Sequence, residues 1–135
     1  MPTQVFINLP VKDLKKSMSF YDAIGFKNNP QFTDETAACM VLSDTIFVML
    51  LTHDKFKKFT PKSIIDATKT VGVINALSVT SNDELNEFMK KAIEAGGNEY
   101  RDPEDYGFMQ QRSFEDLDGH NWEVFYMDMS KFPQQ

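Results

Sequence analysis

The chain begins with an alternation. In VFINLPV, Val5, Ile7, Leu9 and Val11 fall on one face and Phe6 and Asn8 on the other, which predicts a strand with two different environments. Asp13 follows as an N-cap, and Leu14, Met18, Tyr21 and Ile24 recur at helical spacing. Gly25 is placed to end that helix. KNNPQFTD is rich in turn formers, and the apolar runs TAACMVL and TIFVMLL, separated by SD, predict a hairpin.

The same order then returns. GVINALSV predicts a strand, Ser81 and Glu84 have capping-box spacing, and Leu85, Phe88, Met89 and Ala92 form an apolar stripe closed by Gly96. YGFMQQRSF and NWEVFYM predict a second hairpin around EDLDGH. Leu14 corresponds to Leu85 and Gly25 to Gly96 at one common offset, and a further short strand is expected around NNPQF and NEYRD. The expected fold class is α+β, with two βαβββ modules forming a curled mixed sheet around a cleft. Module 1 spans about 1–53, a connector 54–70, module 2 about 71–128 and a short tail 129–135, all within one domain. The connector region, HDKFKKFTPKSIIDATKT with Thr52 before it, is basic and contains Pro61; a short helix is expected in PKSIIDA. Its length suits either a lid or a solvated crossover.

Composition narrows the partners. The net charge is −6 and the basic residues are spread along the chain, which argues against nucleic acid or an anionic membrane as partner. No apolar run is long enough to span a bilayer, and no charged segment followed by an apolar one opens the chain. The single Cys39 has no internal disulfide partner, and within AACMVL it reads as a buried structural residue. A cytoplasmic location is therefore expected.

INLPVKDLKKSMSFYDAIGF, NALSVTSNDELNEFMKKAIEAGG and FEDLDGHNWEVFYMD resemble, in order and over essentially the whole chain, the glyoxalase / bleomycin-resistance / extradiol-dioxygenase (vicinal oxygen chelate) superfamily. With LLTHDKFKKFT and DYGFMQQRSFEDLDGH, the chain is similar to a bacterial group labelled predicted lactoylglutathione lyases. The resemblance implies two modules around a shared cleft, often completed by a homodimer. Metal-using members hold a divalent ion there with side chains from four strands. Carried over by motif, those positions are Phe6, Leu50 or a close neighbour, Ile74 and Glu123. Three of the four are hydrocarbon, whereas a catalytic zinc generally needs three protein ligands. His53 is expected in a solvated loop and His120 in the hairpin turn, projecting to solvent.

Glu123 shares a strand face with Asn121 and Phe125, opposite Trp122, Val124 and Tyr126. A turn centred on Leu117 and Asp118 would set Arg112 directly across from Glu123 as an ion pair, whereas a slip of one residue would move Arg112 to the other face. In the first register Gln110, Arg112, Asn121 and Glu123 form a polar patch walled by Phe6, Leu50, Ile74 and Phe125. Asn8 and Tyr106 are further ligand-contacting candidates, and Phe132 a candidate dimer contact. Such a cleft suits a small organic ligand, bound without cofactor or metal by a homodimer. Glu123 is the candidate catalytic group. The alternative is a metal-dependent lyase or isomerase of the lactoylglutathione lyase type. Metal-free acid–base catalysis by Glu123 and a ligand-free regulatory dimer are the remaining readings.

Overall fold

A computed structural model describes residues 2–133, and the chain divides into two compact units between Asp66 and Ala67. The first holds β1 (Val5–Val11), α1 (Leu14–Ala23), β2 (Lys27–Asn29), β3 (Ala37–Val41) and β4 (Ile46–Thr52), followed by a single-turn α2 (His53–Phe56). The second holds β5 (Ile74–Val79), α3 (Asn82–Glu94), β6 (Glu104–Asp105), β7 (Met109–Glu115) and β8 (Asn121–Met127). Each is a βαβββ module with a four-stranded mixed sheet. The strand orders are β1-β4-β3-β2 and β5-β8-β7-β6, and the first and last strands of each module run parallel.

The caps form as the residue types dictate. Asp13 accepts from the Lys16 N–H at 3.1 Å, and Ser81 from the Glu84 N–H at 3.0 Å. The Glu84 carboxylate returns to the Thr80 N–H at 2.8 Å, one residue before the cap. That bond and the one from the Thr80 hydroxyl hold its pKa below the usual carboxylate value. Gly25 and Gly96 follow the two helices at φ +110° and +106°. The modules are not offset uniformly, however. Asp13 and Ser81 match at one spacing and Gly25 and Gly96 at another, because α1 has 10 residues and α3 has 13. The strands follow the N-cap spacing, which matches Phe6 to Ile74 and Leu9 to Leu77.

Several elements lie elsewhere than expected. The buried stripe of α1 is Ser17, Phe20 and Tyr21, continued by Ile24, while Leu14 and Met18 are only half-buried. The expected helix in PKSIIDA is absent. Thr52 instead caps His53–Phe56 by accepting from Lys55 N–H at 3.3 Å, and a 3-10 turn follows over Lys57–Phe59. NEYRD carries only an isolated bridge, Asn98 to Glu115, and the short edge strand forms later, at Glu104–Asp105. The last two residues of the expected tail lie outside the described residues; before them is a 3-10 turn, Met129–Lys131.

Within each sheet, one face packs on its helix. In the first unit this face includes Leu9, Val11, Ala38, Met40, Val48 and Leu50, all buried. In the second it carries Leu77, Phe114, Trp122 and Val124, against Leu85, Met89 and Ala92 of α3. Cys39 is also buried, and burial raises its thiol pKa, which suits a structural residue.

Candidate functional site

The opposite face of the second sheet carries Glu123. Strand register decides its neighbours. Glu123 lies across from Ser113 on β7 and beside Ala76 on β5; Asn121 pairs with Glu115 and Ile74, and Phe125 with Gln111 and Ser78. These residues therefore share one face. Asn121, Glu123 and Phe125 are half-buried, Ser113 is buried, and Ile74 is half exposed.

The expected Arg112–Glu123 pair does not form. Arg112 lies opposite Val124, on the helix face, where its Nε and Nη2 each meet a Glu99 carboxylate oxygen at 2.8 Å and its Nη1 meets Asn86 Oδ1 at 3.2 Å. The cause is the hairpin loop. Asp116 N–H bonds the His120 carbonyl, Gly119 N–H bonds the Asp116 carbonyl, and Gly119 sits at φ +91°. That is a three-residue loop with a glycine in the left-handed region, and it shifts the register by one against a two-residue turn. Asp116 Oδ1 locks the loop by accepting from Asp118 N–H at 3.0 Å and His120 N–H at 2.9 Å. His120 is half-buried beside it rather than projecting freely.

Gln110 is likewise on the helix face, where its amide donates to Asp105 at 2.7 Å. Gln110 and Arg112 thus line a cavity of about 220 Å³ with Asn82, Asn86 and Glu104, away from Glu123. The four-residue polar patch expected from the sequence is split between two faces. Arg112→Met should therefore destabilise the chain by about 2 kcal/mol through loss of the bidentate pair with Glu99. In urea unfolding, a double-mutant cycle should couple Arg112 to Glu99 and leave Glu123→Gln additive. Coupling to Glu123 instead would refute this register.

Two hydroxyls that sequence reasoning missed stand beside Glu123. Tyr100, half-buried, lies near the Ser113 side chain. Burial raises the Tyr100 phenol pKa, the nearby Ser113 hydroxyl opposes this, and the charge of Glu123 adds to the rise. Arg101 also feels Glu123, but its guanidinium is engaged by Glu104 at 2.8 Å. Ser113 would have been found from a correct loop length. Tyr100 follows from extending the Asn98–Glu115 bridge along β7. Tyr106 is exposed on the bend between β6 and β7, where Gly107 takes φ +84°.

In the first unit, the face opposite α1 carries Phe6 and Asn8. Phe6 pairs with Phe47 and its ring stacks on it at 4.5 Å, while remaining 47% exposed. Asn8 pairs with Met49, and its amide donates to the Phe6 carbonyl at 3.3 Å. Leu50 is on the wrong face. It pairs with Leu9, is fully buried in the core, and matches Val124 of the second module. Met49 is the equivalent of Glu123. Phe132 packs edge-on against Phe108 at 4.8 Å and is 44% exposed.

Residues 3–43, from the approach to β1 through β3, match the family model described as Bleomycin resistance protein-like N-terminal. A solved structure of a hypothetical protein from S. aureus is 31% identical, with 93% of this chain and 95% of that chain covered and a TM-score of 0.77. A glyoxalase/bleomycin resistance protein/dioxygenase family enzyme from Burkholderia phytofirmans PsJN is 14% identical, with 93% and 99% covered and a TM-score of 0.76. The chain has the glyoxalase/bleomycin-resistance fold. A genomically encoded fosfomycin resistance protein from Listeria monocytogenes shares the fold at 18% identity, 97% and 98% coverage and TM-score 0.69. No curated protein matches the chain.

The family's metal-ligand positions can be tested against this register, unit by unit. The first unit offers Phe6 and Met49, and the second offers Ile74 and Glu123. A thioether is a soft, weak ligand, and two of the other three are hydrocarbon, so one carboxylate is the only hard donor. Among the described residues no three His, Cys, Asp or Glu side chains group so as to hold a metal ion. These side chains do not fit the ion that metal-using members of the family bind.

Proposed function

We propose that this glyoxalase-like chain binds a small organic molecule against the sheet face that carries Glu123, and does so without a catalytic metal. One observation carries the reading: of the four strand positions that the family resemblance marks for metal ligands, only Glu123 has an oxygen or nitrogen donor. Around it the face is suited to a ligand with an apolar body, through Ile74, Ala76 and Phe125, and a polar end, through Glu123, Ser113 and Tyr100. Of these, Glu123, Phe125 and Ile74 were legible as candidates in the sequence.

Elemental analysis of protein purified without chelators or metal-affinity resin tests this directly. The expected result is metal well below one ion per chain. It should be accompanied by negligible turnover of the methylglyoxal–glutathione hemithioacetal, unchanged on adding zinc, nickel or manganese. Stoichiometric metal, or robust turnover lost in Glu123→Gln, would replace this reading with the lyase.

A further inference from the structure

The carboxylate of Glu123 has an unusual position for a half-buried charge. No hydrogen bond or ion pair joins it to another described residue. Its cross-strand neighbour is Ser113, which lies near Tyr100, and its parallel neighbour is Ala76. Arg101, the cation that senses it, is committed to Glu104. Arg112 is committed to Glu99 on the far face. On the same face Glu115 adds a second negative charge, itself accepting from the Asn98 amide at 3.0 Å. An ionised carboxylate can only accept hydrogen bonds, and this one accepts none from the described residues, on a face that carries Ile74, Ala76 and Phe125 beside the polar Ser113 and Asn121.

Resting on the binding reading above, we infer that the ligand is an organic cation: a protonated amine that Glu123 pairs with, carried on an apolar or aromatic body lying along Ile74, Ala76 and Phe125. An anion would meet Glu123 and Glu115 with no uncommitted arginine to compensate. A neutral alcohol could donate to Glu123 but would leave its charge unmatched. Ammonium donates in three directions and matches the charge, so it satisfies the site.

Three probes of one shape separate the possibilities: phenethylammonium, 2-phenylethanol and phenylacetate, titrated into 15N-labelled protein and followed by amide shifts. Phenethylammonium is expected to bind about tenfold tighter than 2-phenylethanol, as one partly desolvated ion pair would give, with phenylacetate weakest. Shifts should localise to β5, β7 and β8. Glu123→Gln, which keeps the shape, should erase the preference, so that phenethylammonium binds no tighter than 2-phenylethanol. Equal binding of all three probes at this face, or a preference that survives Glu123→Gln, overturns the cation inference but leaves the binding reading standing. No shift on this face with any probe at millimolar concentration overturns the binding reading itself.

Discussion

Trp122→Ala is expected to lower stability by about 4 kcal/mol, within the range for removing a fully buried large aromatic side chain. Trp122 is the largest fully buried side chain of the chain, on the helix face of β8. Its ring lies parallel to Phe114, the residue directly across on β7, with centroids 6.2 Å apart, and Phe114 in turn meets Phe88 of α3 at 5.9 Å. The substitution therefore opens a cavity between sheet and helix that backbone hydrogen bonding on both strands keeps from collapsing. On the thermal scale the loss corresponds to a midpoint lower by something on the order of 15 °C. Trp122 is the only tryptophan, so circular dichroism in urea rather than fluorescence should follow unfolding. Phe6→Ala is the matched control: that ring is 47% exposed, and its loss should be worth less than about 1 kcal/mol. A Trp122→Ala effect as small as the control's would mean that the second core does not rest on this stack.

What the sequence revealed and what it hid follow from the strength of local signals. Asp13 and Ser81 could be placed because a cap is a local chemical fact: an oxygen acceptor beside unpaired N–H groups. Trp122, Val124 and Glu123 could be assigned to opposite faces because β8 alternates. β4 does not: IFVMLL is apolar at every position, so nothing in the pattern says whether Met49 or Leu50 faces the helix. Only pairing to β1 settles it, through Leu9 and Leu50. One residue of loop length decides that Arg112 lies across from Val124 rather than Glu123. DLDG contained the correcting signal, since a glycine in third place after Asp116 suits the left-handed residue of a three-residue loop. Strand parity turns such a slip into a change of face, which puts Gln110 and Arg112 on one side of the sheet and Asn121 and Glu123 on the other.

The same glycine gives the other large effect. Gly119→Ala should destabilise the chain by about 3 kcal/mol or more, the sum of two separable contributions. One is conformational: at φ +91° an L side chain is strained by about 1–2 kcal/mol. The other is steric, since a Cβ there would lie 2.8 Å from Ala67 C, Ala67 O and Thr68 N, all of them backbone and unable to swing aside. Gly25→Ala isolates the first contribution, because φ is +110° and nothing lies within 4 Å of the added carbon. It should therefore show only the conformational loss of about 1–2 kcal/mol. Gly96→Ala falls between the two, since its Cβ meets Leu117 Cδ2 at 3.0 Å, a side-chain tip that can rotate away. The expected order in urea unfolding is Gly119→Ala, then Gly96→Ala, then Gly25→Ala. Hydrogen exchange at Thr68 should rise selectively in the Gly119 variant, as the 67–68 backbone is pushed off the loop. Equal losses at Gly119 and Gly25 would show that the Ala67–Thr68 backbone yields, leaving φ as the only reason for glycine in DLDGH.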